Sequence, residues 1–167
     1  MSEIVIKLPG KPIAKKTHRD SCHINWKTKS VKRWRRFPQS EEAKLISAAM
    51  KSQYDGPILD HSVFVLFEFY MGIPTRWRKD MKEKARKGLL HHIMKPDASN
   101  LAKFYEDCMR GVVFTDDSVV VWISPVKLFS DEPRTEIFVK PFNYEEYCLF
   151  KQAIRGGVED DPLEAAM

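Results

Sequence analysis

Residues 95–120, KPDASNLAKFYEDCMRGVVFTDDSVV, leave this chain fewer options than any other stretch of it. Pro96 pushes the residue before it into extended backbone, so a helix can begin only around Asp97. From there Leu101, Phe104, Tyr105, Cys108 and Met109 recur at the spacing of one helical face, and Gly111 supplies a stop. The pattern predicts a helix over 97–110 with one face committed to a core. Residues 112–114 and 118–129, rich in Val and aromatic side chains, read as strand on either side of an Asp116-Asp117 turn. A helix tied so closely to strand material has to pack against a sheet.

The rest of the chain supplies that sheet. Ile4, Ile6 and Leu8 alternate with Glu3, Val5 and Lys7 and predict a strand over 3–8, stopped by Pro9-Gly10. Residues 11–37 show no helical period and mix Lys and Arg with His18, His23, Trp26 and Trp34, as an extended loop or hairpin does. Ser40, placed to cap, opens a helix whose stripe is Ala43, Leu45, Ile46, Ala49 and Met50. Residues 62–70 predict a strand buried on much of both faces, and 76–87 an exposed basic helix. A short strand over 136–139 and a last helix over 144–154 precede an acidic tail. Strands slightly outnumber helices without strict alternation, so the expected fold is a single α+β domain, a mixed sheet packed by helices. The 167 residues suffice for one such domain. Its body is expected over 1–140, with 141–167 as a C-terminal helix and tail.

Composition excludes several classes. With 43% hydrophobic and 31% charged residues, wholesale disorder is a poor reading. No apolar run approaches a membrane span, and Cys22, Cys108 and Cys148 form neither a disulfide framework nor a zinc pair. The expectation is a reduced, cytoplasmic protein with no membrane and no small-molecule cofactor. The net charge of +5 hides a segregation. Residues 1–36 carry eleven Lys and Arg against Glu3 and Asp20, and 76–87 carry seven against Asp80 and Glu83, whereas acids dominate beyond Lys140. That distribution fits one phosphate-facing surface.

The polar residues of the 95–120 stretch have chemistry of their own. Asp97 falls at the N-cap or first turn, and Asn100, Lys103 and Asp107 lie on the helix face opposite the apolar stripe. Adjacent Asp116 and Asp117 repel each other unless solvated or neutralised by a cation. Two acids from a turn and one from a helix start make a plausible oxygen site for Mg²⁺, with Mn²⁺ as a substitute. Each residue also has an ordinary role open to it: a cap for Asp97, an i, i+4 pair for Lys103 with Asp107, turn formation for Asp116-Asp117. The histidines are too dispersed to form a site, and His91 and His92 point opposite ways on an extended segment.

As a unit the stretch resembles the RusA family of Holliday junction resolvases, metal-dependent endonucleases often encoded by prophages. The family pattern is a Pro or Arg before Asp-x-Asp-Asn-Leu-x-Lys, an Asp on the same helix, a small-residue turn, then Asp-Asp and a Val-rich strand. Asp97, Asn100, Leu101, Lys103, Asp107, Gly111, Asp116, Asp117 and Val120 match it. The resemblance implies a homodimer that holds four-way junction DNA and resolves it by paired symmetric nicks, in recombination and repair. It implies Asp97, Lys103, Asp116 and Asp117 as catalytic residues, the three aspartates as Mg²⁺ ligands, and Ser99, Asn100 and Asp107 in or beside the metal's outer shell. Lys15, Lys16, Arg19, Lys32, Arg33, Arg35, Arg36, Arg76, Arg78 and Lys79 would hold the DNA arms, and Trp26, Trp34 and Trp77 would either stack on open bases or pack their loops onto the domain. Ser99 stands where the family has its second Asp. A hydroxyl can ligate Mg²⁺ but brings no charge, so the alternative expectation is a junction-binding protein deficient in cleavage.

Overall fold

The computed structural model describes residues 3–16, 19–36 and 39–155. In chain order the elements are β1 (Ile4–Pro9), β2 (Arg19–Asn25), β3 (Ser30–Arg36), α1 (Ser40–Lys51), β4 (Val63–Gly72), α2 (Lys79–Arg86), α3 (Ala98–Met109), β5 (Val120–Ser130), β6 (Arg134–Pro141) and α4 (Tyr144–Arg155). Four strands make one sheet in the order β1-β6-β4-β5, and β2 pairs only with β3. β1 with β6 and β6 with β4 are antiparallel, whereas β4 and β5 are parallel. Parallel neighbours need a long crossover. Here the crossover carries α2 and α3, which is how the polar stretch around Asp97 comes to lie against the sheet. The fold is α+β with a mixed sheet.

β4 shows why one face dominates. Val63, Val65, Phe67, Phe69 and Met71 are buried, while Phe64, Leu66, Glu68 and Tyr70 between them are half-buried. The strand is therefore fully covered on one side only. That side meets α1 and α3, which pack on one another. All five residues of the expected α3 stripe are buried, and the Tyr105 ring lies 5.6 Å from Phe69. The other side is covered at one end by α4, where Trp122 meets Tyr147 at 5.6 Å and Phe150 at 4.8 Å. Among the described residues no helix is long and apolar enough to cross a membrane, and the three cysteines are unpaired.

Several local expectations are corrected. Ser40 does not cap α1: it is the first helical residue, after Gln39. The Gln39 side chain is spent on the N-terminal arm instead, accepting from the Lys16 N–H and donating to the Ala14 carbonyl. The basic helix is shorter than 76–87, because Trp77 closes a turn onto the Pro74 carbonyl and packs its ring 5.2 Å from Phe129. Residues 112 and 113 form a turn rather than a strand, and Phe114 makes only isolated bridges, to Leu59 and Arg110. Gly111 takes a left-handed φ of 71°, which suits glycine, and its N–H reaches the Phe114 carbonyl at 2.7 Å. Residues 117–119 are a short 3-10 turn, and β5 starts only at Val120. His18, the side chains of Arg19, Arg33, Trp34, Arg35 and Arg36, and the tail at 156–167 lie outside the described residues.

Candidate active site

α3 begins where residue 96 obliges it to. Asp97 occupies the N-cap position, its carbonyl accepting from the Leu101 N–H, but its carboxylate makes no capping bond. That side chain is exposed and stands 3.4 Å from the Asn100 amide. Capping is therefore not what occupies this acid. The segment leading to it is held from the sheet. Lys127, on β5, donates from Nζ to the Met94 carbonyl at 2.8 Å and to the Pro96 carbonyl at 2.9 Å. Charge-assisted bonds of this kind fix the backbone immediately before Asp97. Buried His92 lies next to the same lysine. Burial, and then the Lys127 cation, push its pKa below the usual imidazole value.

The far end of α3 receives the second element. The turn after Gly111 is pinned to a neighbouring segment by Leu59, whose N–H reaches the Val113 carbonyl and whose carbonyl accepts from Thr115. This presents Asp116 and Asp117 to the end of the helix. The Asp116 carboxylate accepts from the Ser118 N–H at 3.1 Å and pairs with the Arg110 guanidinium. The Ser118 N–H, followed by Arg110, holds its pKa down to about 2, so Asp116 is a fixed anion at any physiological pH. Beside the turn sits Glu106, half-buried on α3. Burial raises its carboxyl, and the charges of Asp117 and Asp107 raise it further against Lys15 and Lys103.

The N-terminal arm closes the remaining side. The Ile13 N–H donates to the Tyr105 hydroxyl at 3.0 Å, and the Lys15 N–H donates to the Asn100 carbonyl at 2.8 Å. Lys15 Nζ then pairs with Asp107 at 2.6 Å, so Asp107 is shared with the arm rather than with Lys103. Around the C-terminal half of α3 the structure thus gathers Glu106, Asp107, Asp116 and Asp117 with Lys15, Lys103 and Arg110. Asp97, Ser99 and Asn100 stand at the other end. Glu106 lies nine positions beyond Asp97, about 13 Å of helical rise. Among the described residues, no three His, Cys, Asp or Glu side chains converge tightly enough to hold one metal ion. The donors are all hard carboxylate oxygens in an exposed setting, a chemistry that suits Mg²⁺ or Mn²⁺, although their present spacing does not assemble a closed shell.

Of the DNA-contact candidates, Lys16, Lys32, Arg76, Arg78 and Lys79 are exposed. Sequence reasoning does not single out Lys127, Glu106 or Arg110, which the structure places beside the candidate residues. Arg110 and Glu106 had a usable signal, since each lies on α3 within reach of a turn whose acids need partners. Lys127 had none.

Two comparisons bear on this arrangement. The Uncharacterized protein YqaN of Bacillus subtilis (strain 168) is 42% identical over 62 residues, a stretch amounting to 37% of this chain and 44% of that protein. The chain thus matches less than half of that relative's length. The family described as Endodeoxyribonuclease RusA matches residues 9–140, from the end of β1 to the end of β6. That range takes in the arm, the hairpin, the whole crossover and the acidic turn, and the chain belongs to the RusA endodeoxyribonuclease family.

Proposed function

We propose that this protein is a divalent-cation-dependent endonuclease that binds four-way DNA junctions as a homodimer and nicks two opposed strands symmetrically. The observation that carries the reading is the juxtaposition, within a RusA-family chain, of the acidic turn at the end of α3 with the cations Lys15, Lys103 and Arg110. Phosphodiester hydrolysis needs negative oxygens to organise the reaction and positive groups to meet the phosphate. Asp116 and Asp117 would be the first donors to Mg²⁺, Asp97 at the other end of α3 would have to approach them to complete the set, and Ser99, Asn100 and Asp107 stand on the same helix. When bound, the ion lowers the pKa of a water and neutralises charge on the scissile group.

The chain's own residues do the rest. Arg110 and the Ser118 N–H keep Asp116 ionised and aimed. Lys103, exposed in the middle of α3, meets the phosphate. Lys15 and Lys16 on the stapled arm, and Arg76, Arg78 and Lys79 at the head of α2, hold the flanking backbone through phosphates. Two copies related by a twofold axis match the symmetry of a four-way junction, which gives paired rather than single cuts.

The test is a synthetic four-way junction labelled in turn on each strand, incubated with and without Mg²⁺. Paired nicks at symmetry-related positions, only with the cation, are expected. Junction binding without any nicking would leave a binding module, the outcome that Ser99 makes the leading rival. Equal affinity for junction, paired duplex and structured RNA would remove the junction from the reading.

A further inference from the structure

We propose that the β2–β3 hairpin is a base-stacking wedge, with Trp26 at its tip inserting against an unpaired base of the nucleic acid. The proposal rests on the nuclease reading for its substrate and deepens it by naming the part of the protein that senses an open base. The sequence left three tryptophans with two roles each. The structure separates two of them. Trp77 is packed against Phe129, whereas Trp26 is 82% exposed.

That exposure is built. Seven-residue strands pair from Arg19 opposite Arg36 to Asn25 opposite Ser30, an arm about 20 Å long. At the tip the Asn25 side chain accepts from the Lys27 N–H at 3.0 Å and the Thr28 N–H at 3.3 Å. The Thr28 and Ser30 hydroxyls bond each other at 2.8 Å. This local network orders the turn without help from Trp26, so the indole is presented outward. Ile24 and Val31 face each other one step below it, 41% and 54% exposed. An exposed aromatic ring with two exposed apolar residues beneath it on one arm offers a contact surface rather than core.

Charge identifies the partner. From Ser21 to Ser40 there is no acidic residue, against Lys27, Lys29, Lys32, Arg33, Arg35 and Arg36. An acidic protein surface would be served by the cations, but an exposed indole followed by Lys27 and Lys29 matches the π-face of a base flanked by phosphates. A two-stranded ribbon is also narrow enough to enter a groove. The described residues on either side of the hairpin lie by the candidate active site. Lys16 before it and Gln39 after it are hydrogen-bonded to each other, and the neighbouring Lys15 is bonded to Asn100 and Asp107 of α3. A base held at the tip would therefore lie on a strand that the flanking arm residues lead toward α3.

The experiment measures affinity of the full chain and of Trp26→Ala and Trp26→Phe, in EDTA so that nothing is cut. The probes are a four-way junction, a duplex with a three-base bulge and a fully paired duplex, each with 2-aminopurine at the open position or its paired equivalent. Trp26→Ala is expected to weaken junction and bulge binding roughly 5- to 100-fold. It should leave the paired duplex unchanged and abolish the 2-aminopurine signal, and Trp26→Phe should recover most of both. If the parent prefers neither junction nor duplex, the function proposed above fails while the bulge probe still decides the wedge. Parent-like binding of the bulge and junction by Trp26→Ala, or an equal loss on the paired duplex, would overturn the wedge.

Discussion

Replacing Lys127 by Met removes an ammonium while keeping most of its stem, and the structure says what should follow. Two charge-assisted bonds, at 2.8 Å to Met94 and 2.9 Å to Pro96, disappear together. Bonds to charged groups contribute about 1.5–3 kcal/mol each where water is excluded. Lys127 is half-buried, so water can replace part of what is lost. A net loss of roughly 1–3 kcal/mol follows, which for a chain of this size is about 2–10 °C in Tm. The local consequence is more specific than the global one. The Lys127 cation is one cause of the depressed His92 pKa, so Lys127→Met should let His92 titrate closer to its usual 6.5, as read by NMR of its ring protons. Asp97, no longer held from the sheet, should lose its defined position, lowering nicking far more than junction affinity. Lys127→Arg, which can still donate to two carbonyls, should recover part of the loss. An unchanged Tm together with an unchanged His92 titration would refute the clasp.

Three further predictions use other contacts. Tyr105→Phe leaves the Ile13 N–H without its acceptor and should cost roughly 1–3 kcal/mol in urea unfolding, with faster hydrogen exchange at Ile13; parent-like exchange there would mean that the arm is held elsewhere. Burial raises the Cys108 thiol to about 11, so at pH 8 on the order of one molecule in a thousand carries the thiolate, and a disulfide reagent should modify exposed Cys22 while sparing Cys108 until the protein unfolds; equal native rates would contradict that burial. Ser99→Asp adds a carboxylate in the exposed first turn of α3 and should lower the Mg²⁺ concentration for half-maximal cleavage; if Ser99→Asp and Ser99→Ala both match the parent, position 99 lies outside the metal's reach.

Periodic signals translated well into structure. The α3 stripe and the alternation of β1 are local patterns whose burial follows from their spacing, whereas of the expected α1 stripe only Met50 is buried, Ala43, Ile46 and Ala49 are half-buried, and Leu45 faces outward, exposed. β4 was legible as a strand but not as one-sided, because part of the cover on its second face is Trp122 of β5, which meets Phe64 and in turn Tyr147 and Phe150 of α4, far along the chain. The hairpin stayed ambiguous because its turn is set by the Asn25 side chain rather than by a glycine pair. The candidate site divides in the same way. Its residue types were legible in order along the chain, but their partners were not: Lys15 reaches Asp107 and Lys127 reaches Met94 across sequence gaps that no spacing rule covers. The separation of Asp97 from the acidic turn is likewise a property of where the turn meets α3, at Glu106 and Arg110 rather than at the helix start.

Asp117→Asn tests most directly whether the acidic turn at the end of α3 is the nuclease centre. The change removes one charge at nearly constant volume from an exposed residue, so folding should be preserved. The measurement is the single-turnover nicking rate on a synthetic four-way junction in saturating Mg²⁺, alongside junction affinity in EDTA. The account predicts that nicking is abolished while affinity is unchanged or higher, since a negative charge beside phosphate is gone. Nicking at the parent rate would contradict it.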